Sequence, residues 1–267
     1  MTPRSASLQR ENRSQRRSGK PFARFVSRNF RYRISAVTVH ELLRGIDLGG
    51  PEQFRKTKKA LAFVYPAHER EFLPPPGNFV LEKLFAEKVM PWLNSPRVRQ
   101  LVKAFLRTES SDTLYSTQIW KGKNVSPVAS LIWTNQTYLQ NTGGVALRWE
   151  TNRFLRGRRP FTPDDWIETQ LKQYGQPDTP GNRSKVADGL SAAYYFAKFL
   201  WNAQKDAAYD FLKHSSDNQD LKQLHYLADP SVYFVTRDSK IQKHIAPSPQ
   251  ASRVWGWRDL YEKAKAR

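Results

Sequence analysis

Apolar positions along the chain fall into short clusters separated by prolines, glycines and charged runs, and the spacing within each cluster predicts its element. RYRISAV (31–37) is rich in β-branched and aromatic residues and reads as a strand. Val39, Leu42 and Leu43 then take up a helical spacing, until Gly45 and Gly49-Gly50-Pro51 stop it. Residues 51–65 place Phe54, Leu61 and Phe63 among basic positions and predict a helix. Two amphipathic helices follow over 79–89 and 96–106, after proline punctuation at Pro66 and Pro74-Pro75-Pro76. Residues 125–156 and 183–213 also read as helices, and 184–212 carries the strongest helical pattern of the chain. Thr162-Pro163-Asp164-Asp165 opens another, with threonine as N-cap and proline in the first turn. The last part alternates: helix at 220–228, turn at Asp229-Pro230, strand at 231–236, helix at 237–245, strand at 252–257 and a short charged helix. Strand–helix patterns at both ends of a mostly helical block predict an α/β sheet whose strands are separated by a long helical insertion.

Composition narrows the classes of function. The chain has 267 residues, 39% hydrophobic and 13% aromatic, enough for a packed core. It has no cysteine, which excludes disulfides, thiolate zinc sites, iron–sulfur clusters and thiol nucleophiles. No apolar run approaches the ~20 residues that span a bilayer, and MTPRSASLQRENRSQRR has no apolar segment of a secretory signal. The expectation is a soluble, cytoplasmic protein without a membrane partner. The net charge is +20, and residues 1–33 hold ten basic residues against Glu11 alone. Such a balance calls for an anionic partner, nucleic acid first among them. Residues 1–20 read as flexible and 21–30 as a possible short helix, either a solvated tail or an arm that tracks phosphates.

The candidate chemistry lies at strand ends. Glu41 falls in the first turn after the 31–37 strand, and Asp238 just beyond the 231–236 strand. Asp220 opens the helix that feeds the second of these strands, which places it on the same edge. Ligands of open α/β sheets bind beyond the carboxyl ends of parallel strands, so Glu41, Asp220 and Asp238 are expected to converge on one rim. Carboxylates gathered without histidine or cysteine suit Mg²⁺ or Mn²⁺, and such ions activate water for in-line attack on a phosphodiester. Each residue also has a plainer role open to it. Thr38-x-x-Glu41 fits a capping box, Asp220 can serve as a helix-terminal charge with Asp217 competing for its place, and Asp238 can cap the helix after it. Arg44, Arg237, Lys240 and Lys243 lie beside the expected rim as contacts for a nucleic-acid backbone, with Thr236 as a substrate-facing or supporting hydroxyl. Arg156-Gly157-Arg158-Arg159 is a concentrated basic turn, a phosphate contact or a solvated loop. The five histidines show no metal-ligand spacing, and the sequence has no P-loop, G-x-G-x-x-G or G-x-S-x-G motif.

ISAVTVHELLRG and DLKQLHYLADPSVYFVTRDSKI together resemble two segments of the PIN-domain ribonucleases: the second-strand-to-helix segment with its acidic metal ligand, and the later segment in which an aspartate opens a helix and a T-x-D motif ends the next strand. The 18-residue step from Asp220 to Asp238 is similar to that family's. The resemblance covers roughly residues 31–46 and 217–257. It implies a Rossmann-type parallel sheet, Mg²⁺ or Mn²⁺ held by Glu41, Asp220 and Asp238, and hydrolysis of RNA. Many bacterial members are toxins, so it also implies a protein antitoxin or a homo-oligomer as partner. The domain expectation is a basic leader at 1–30, then a PIN-like domain over 31–267 with a helical insertion at about 50–213. The family's usual first strand with its aspartate is not seen, since only Glu11 precedes Glu41 as an acid. That departure leaves a PIN-like nuclease with a shortened or degenerate site, or a non-catalytic nucleic-acid-binding protein that keeps the fold.

Overall fold

The structure, a computed structural model, describes residues 33–35, 38, 50–64, 72–89, 94–110, 113, 160–206, 208–214 and 216–266. In chain order its elements are β1 (Ile34–Ser35), α1 (Gly50–Val64), β2 (Phe72–Leu73), α2 (Pro76–Phe85), α3 (Asn94–Arg107), α4 (Pro163–Gln173), α5 (Pro180–Gly189), α6 (Ser191–Ala203), α7 (Asp217–Leu224), a 3₁₀ turn (His225–Ala228), β3 (Phe234–Thr236), α8 (Ser239–Ile245), a second 3₁₀ turn (Pro249–Arg253), β4 (Val254–Gly256) and α9 (Trp257–Lys265). Helices dominate, and both strand pairs among the described residues are parallel. β1 pairs with β2 in the register Ile34↔Phe72 and Ser35↔Leu73, and β3 pairs with β4 as Phe234↔Val254, Val235↔Trp255 and Thr236↔Gly256. The mixed, mainly helical architecture with small parallel pairs agrees with the α/β expectation at that level. None of the described helices is long and apolar enough to cross a membrane.

β2 is an addition to the sequence reading, which has only punctuation there. Two residues cannot show an alternating pattern, and the three prolines that follow mask the strand. The expected single helix over 183–213 is corrected to two helices ending at Ala203. The break at Leu190 is held by one side chain: Gln250 accepts from Ala192 N (2.8 Å) and donates to Gly189 O (2.7 Å) and Leu227 O (3.1 Å). It thus satisfies the carbonyl that ends α5 and an amide that opens α6, groups that a helix end leaves orphaned. Beyond Ala203, Asp206 accepts from Ala208 N and Asp210 from Leu212 N and Lys213 N. These local side-chain bonds give the backbone an alternative to the helix ladder. The strand expected over 231–236 is confined to its last three residues.

Where capping chemistry was explicit, it formed. Thr162 accepts from Asp165 N (3.1 Å) while the Asp165 carboxylate returns to Thr162 N, with Pro163 at the first position of α4. Near β1 the Ser35 hydroxyl accepts from Thr38 N (3.0 Å), while the Thr38–Glu41 pair expected as a capping box lies in part outside the described residues.

One apolar core joins α2, α4, α5 and α6 to α7, α8 and β4, with Phe79, Val186, Phe196, Leu224, Leu227, Ile241 and Ile245 nearly inaccessible to solvent. Truncating a phenylalanine such as Phe196 in a core of this kind costs about 3–5 kcal/mol. Arg253 fixes the loop that delivers β3 by donating to the carbonyls of Leu227, Asp229 and Val232. The entry to β3 is therefore fixed by a guanidinium clasp, and Phe234 packs against the apolar core. The leader, the 125–156 helix and the Arg156–Arg159 turn lie outside the described residues.

Candidate functional site

β3 ends at Thr236, and the chain turns directly into α8. The Thr236 hydroxyl accepts from Asp238 N (3.0 Å), and Asp238 accepts in turn from Lys240 N (2.7 Å). Asp238 thus has the capping role that its sequence position allowed, at the carboxyl end of a parallel strand. Lys240, in the first turn of α8, extends its ammonium to Asp217 Oδ1 at 2.5 Å. Tyr209 donates its phenolic hydrogen to the other Asp217 oxygen. Asp217, at the start of α7, is only 3% exposed, so an ammonium and a phenol compensate its buried charge. Asp220 lies one turn further along α7 and is half-buried.

The three aspartates share an electrostatic neighbourhood. Burial, the hydrogen bond to Asp217, and the charges of Asp217, Asp238 and Asp220 together push the Tyr209 phenol far above its ordinary value. Tyr209 therefore remains a hydrogen-bond donor at any physiological pH. Burial and the neighbouring ammoniums of Lys243 and Lys240 hold the His244 imidazole below its ordinary value, against the opposing pull of Asp238 and Asp217. Rings frame the polar centre: His244 stacks on Phe199 (3.8 Å between centroids, 18°), Lys240 lies 5.8 Å from the Phe199 centroid, and Tyr209 meets Phe199 edge-on at 5.7 Å.

Of the expected site residues, Thr236, Arg237, Asp238 and Lys240 lie at the end of β3, with Arg237 exposed and Lys240 turned inward onto Asp217, and Asp220 lies one turn further along the helix that Asp217 opens. The Lys240 ammonium, expected beside a phosphate backbone, is paired here with the Asp217 carboxylate. Glu41 and Arg44 lie outside the described residues. Among the described residues, no group of three histidine, aspartate or glutamate side chains is set to hold a metal ion as it stands. Asp217, the competing choice in the sequence, is the carboxylate drawn deepest into the cluster. Tyr209, Phe199 and His244 were missed, because Tyr209 and Phe199 fell inside the stretch read as one helix over 183–213 and His244 has no metal-ligand spacing.

His225, the first residue of the 3₁₀ turn after α7, is a packing residue. It is buried against Trp166 and Tyr174, whose hydroxyl lies 3.0 Å from its Nδ1, and burial pushes its pKa down to about 4. A cavity of about 490 Å³ lies elsewhere, between Phe161 and Trp201 and bordered by Asp165, Glu168 and Lys172; none of the clustered aspartates lines it. No family model, curated protein or solved structure matches this chain.

Proposed function

We propose that the chain is a PIN-like phosphodiester hydrolase acting on RNA, with its reaction centre at the carboxyl end of β3. The observation that carries this reading is that Lys240, whose amide donates to Asp238 at the end of the parallel strand β3, reaches the buried Asp217 of α7, the helix that also carries Asp220, in a protein of net charge +20. Oxygen-only donors of this kind suit Mg²⁺ or Mn²⁺. Asp238, with Asp217 or Asp220 and with Glu41, would hold the ion, which when bound lowers the pKa of water and neutralises charge on the phosphoryl group. The fit has one condition. Asp217 already carries the Lys240 ammonium, so an ion that uses this carboxylate takes the place of that lysine. Released from Asp217, Lys240 becomes a cation for the phosphate, while Tyr209 keeps its proton and orients the carboxylate. Arg237, exposed at the strand end, contacts the backbone of the substrate. An antitoxin-type partner or a homo-oligomer belongs to the same reading, through the family resemblance alone.

The Asp217–Lys240 ion pair also favours a second reading, a nucleic-acid-binding protein that retains the fold without the chemistry, because a neutralised carboxylate needs no metal. Cleavage of a labelled single-stranded RNA in Mn²⁺ separates the two. The hydrolase reading predicts cleavage that stops in EDTA and in Asp238→Asn. Salt-sensitive RNA binding without Mn²⁺-stimulated cleavage establishes the second reading instead.

A further inference from the structure

The outer face of the β3–β4 ribbon is aromatic where a folded chain would ordinarily be polar. Along β3 and its approach, exposure alternates with the strand period, so that Tyr233, Val235 and Arg237 point outward between half-buried neighbours. Tyr233 is 45% exposed, Val235 37% and Trp257 42%. Val235 is the register partner of Trp255, which puts the Trp255 ring on this same face. Tyr233 and Trp255 lie 4.7 Å apart between ring centroids. Cations lie over the rings: Lys263 Nζ is 4.9 Å from the Trp255 centroid, and the Arg237 guanidinium is 5.6 Å from that of Trp257. The nearby carboxylate of Asp259 is engaged by Gly256 N at the start of α9 (2.7 Å).

We propose that this face is a stacking platform for single-stranded nucleic acid, which carries the strand to the aspartate cluster. The proposal rests on the reading of the partner as nucleic acid and names the form of it that binds. Flat rings interleaved with cations match a polymer of flat bases and phosphates, and base–aromatic stacking is tolerant of sequence. An acidic protein could pair with the guanidinium and ammonium, but it does not present the regular succession of flat rings and anions that a single strand offers to interleaved rings and cations. A duplex offers no free base faces for the rings to stack on. The platform also has a direction. It ends at Arg237, the residue before Asp238, so a strand lying along it arrives with its backbone at the end of β3.

The test uses the full chain in EDTA, so that binding is read without cleavage, with a fluorescein-labelled RNA of about twelve nucleotides, within the site sizes of single-strand binders, and the same sequence as a duplex. The single strand should bind more tightly than the duplex and quench tryptophan fluorescence. Trp257→Leu, equally apolar but unable to stack as an aromatic, should weaken single-strand binding roughly five- to a hundredfold, whereas Trp257→Phe should retain most of it. Tyr233→Ser should weaken it in the same direction, with unfolding midpoints unchanged because these side chains are exposed. Equal affinity for single strand and duplex, or a Trp257→Leu variant that binds like the parent, overturns the proposal. So does self-association that depends on these rings while RNA leaves their fluorescence unchanged. Loss of single-strand binding in the variants of a protein that never cleaves RNA would leave the platform standing and remove only the hydrolase reading; cleavage that persists in all of them with unchanged affinity would do the reverse.

Discussion

The two surfaces that meet at the end of β3 are built in opposite ways. On one side Asp217, Lys240 and Tyr209 satisfy each other in a nearly closed centre, backed by Phe199 and His244. On the other, Tyr233 and Trp257 are largely exposed and Trp255 half-buried, with Arg237 over Trp257 and Lys263 over Trp255. The closed centre must exchange a partner before it can bind anything, since an uncompensated buried charge is costly. As a stacking platform, the aromatic face needs no such exchange, and its exposed side chains contribute little to folding. Stability should therefore be sensitive to the first and nearly blind to the second.

The sharpest contrast comes from truncation. Asp217→Ala leaves the Lys240 ammonium and the Tyr209 hydroxyl without their carboxylate and should cost about 3 kcal/mol in urea unfolding. Trp257→Ala should stay within about 0.5 kcal/mol of the parent. Similar losses in both would erase the distinction between the two surfaces. The interior also carries a pH signature. His225 binds its proton at about 4 in the folded chain against 6.5 unfolded, so the unfolded state takes up more protons between these values. Stability is full above about 6.5 and falls as the pH drops towards 4, by on the order of 3 kcal/mol. Melting curves across this window should show the loss, and His225→Gln should flatten it; a parent curve with no acid-side decline would contradict the buried neutral imidazole.

Smaller effects separate exchange from readiness. Lys240→Met removes the ammonium that a divalent ion must displace, so Mn²⁺ affinity should rise about tenfold, close to 1.4 kcal/mol, in a calorimetric titration. Weaker binding in that variant would mean that Lys240 helps the ion and does not exclude it. Arg237→Gln should lower the salt dependence of RNA binding by about one unit of slope, the signature of one lost phosphate contact. An unchanged slope would place the phosphates elsewhere.

Much of this contrast was legible in the amino-acid order, for physical reasons. Thr162-Pro163-Asp164-Asp165 carried its own capping chemistry, and α4 begins there. The aromatic and β-branched run before Arg237 announced β3, and the T-x-D step placed Asp238 at its end. Other features were invisible because they depend on distant partners. The interruption at Leu190 is made by Gln250, some sixty positions later, and no local pattern signals it. Asp217 and Asp220 are three residues apart on one helix, and only Tyr209 and Lys240, both from outside it, distinguish them. The exposure of Trp257 carried no sign either, because 252–257 read as one strand, whereas β4 ends at Gly256 and Trp257 opens α9.

The central claim is that the aspartates at the end of β3 hold a divalent ion, and counting bound Mn²⁺ by electron paramagnetic resonance in the full chain tests it directly. The account predicts Mn²⁺ bound by the parent protein and lost from the Asp217→Asn/Asp238→Asn double variant with its fold intact. Equal Mn²⁺ occupancy in both proteins, or none in either, would contradict it.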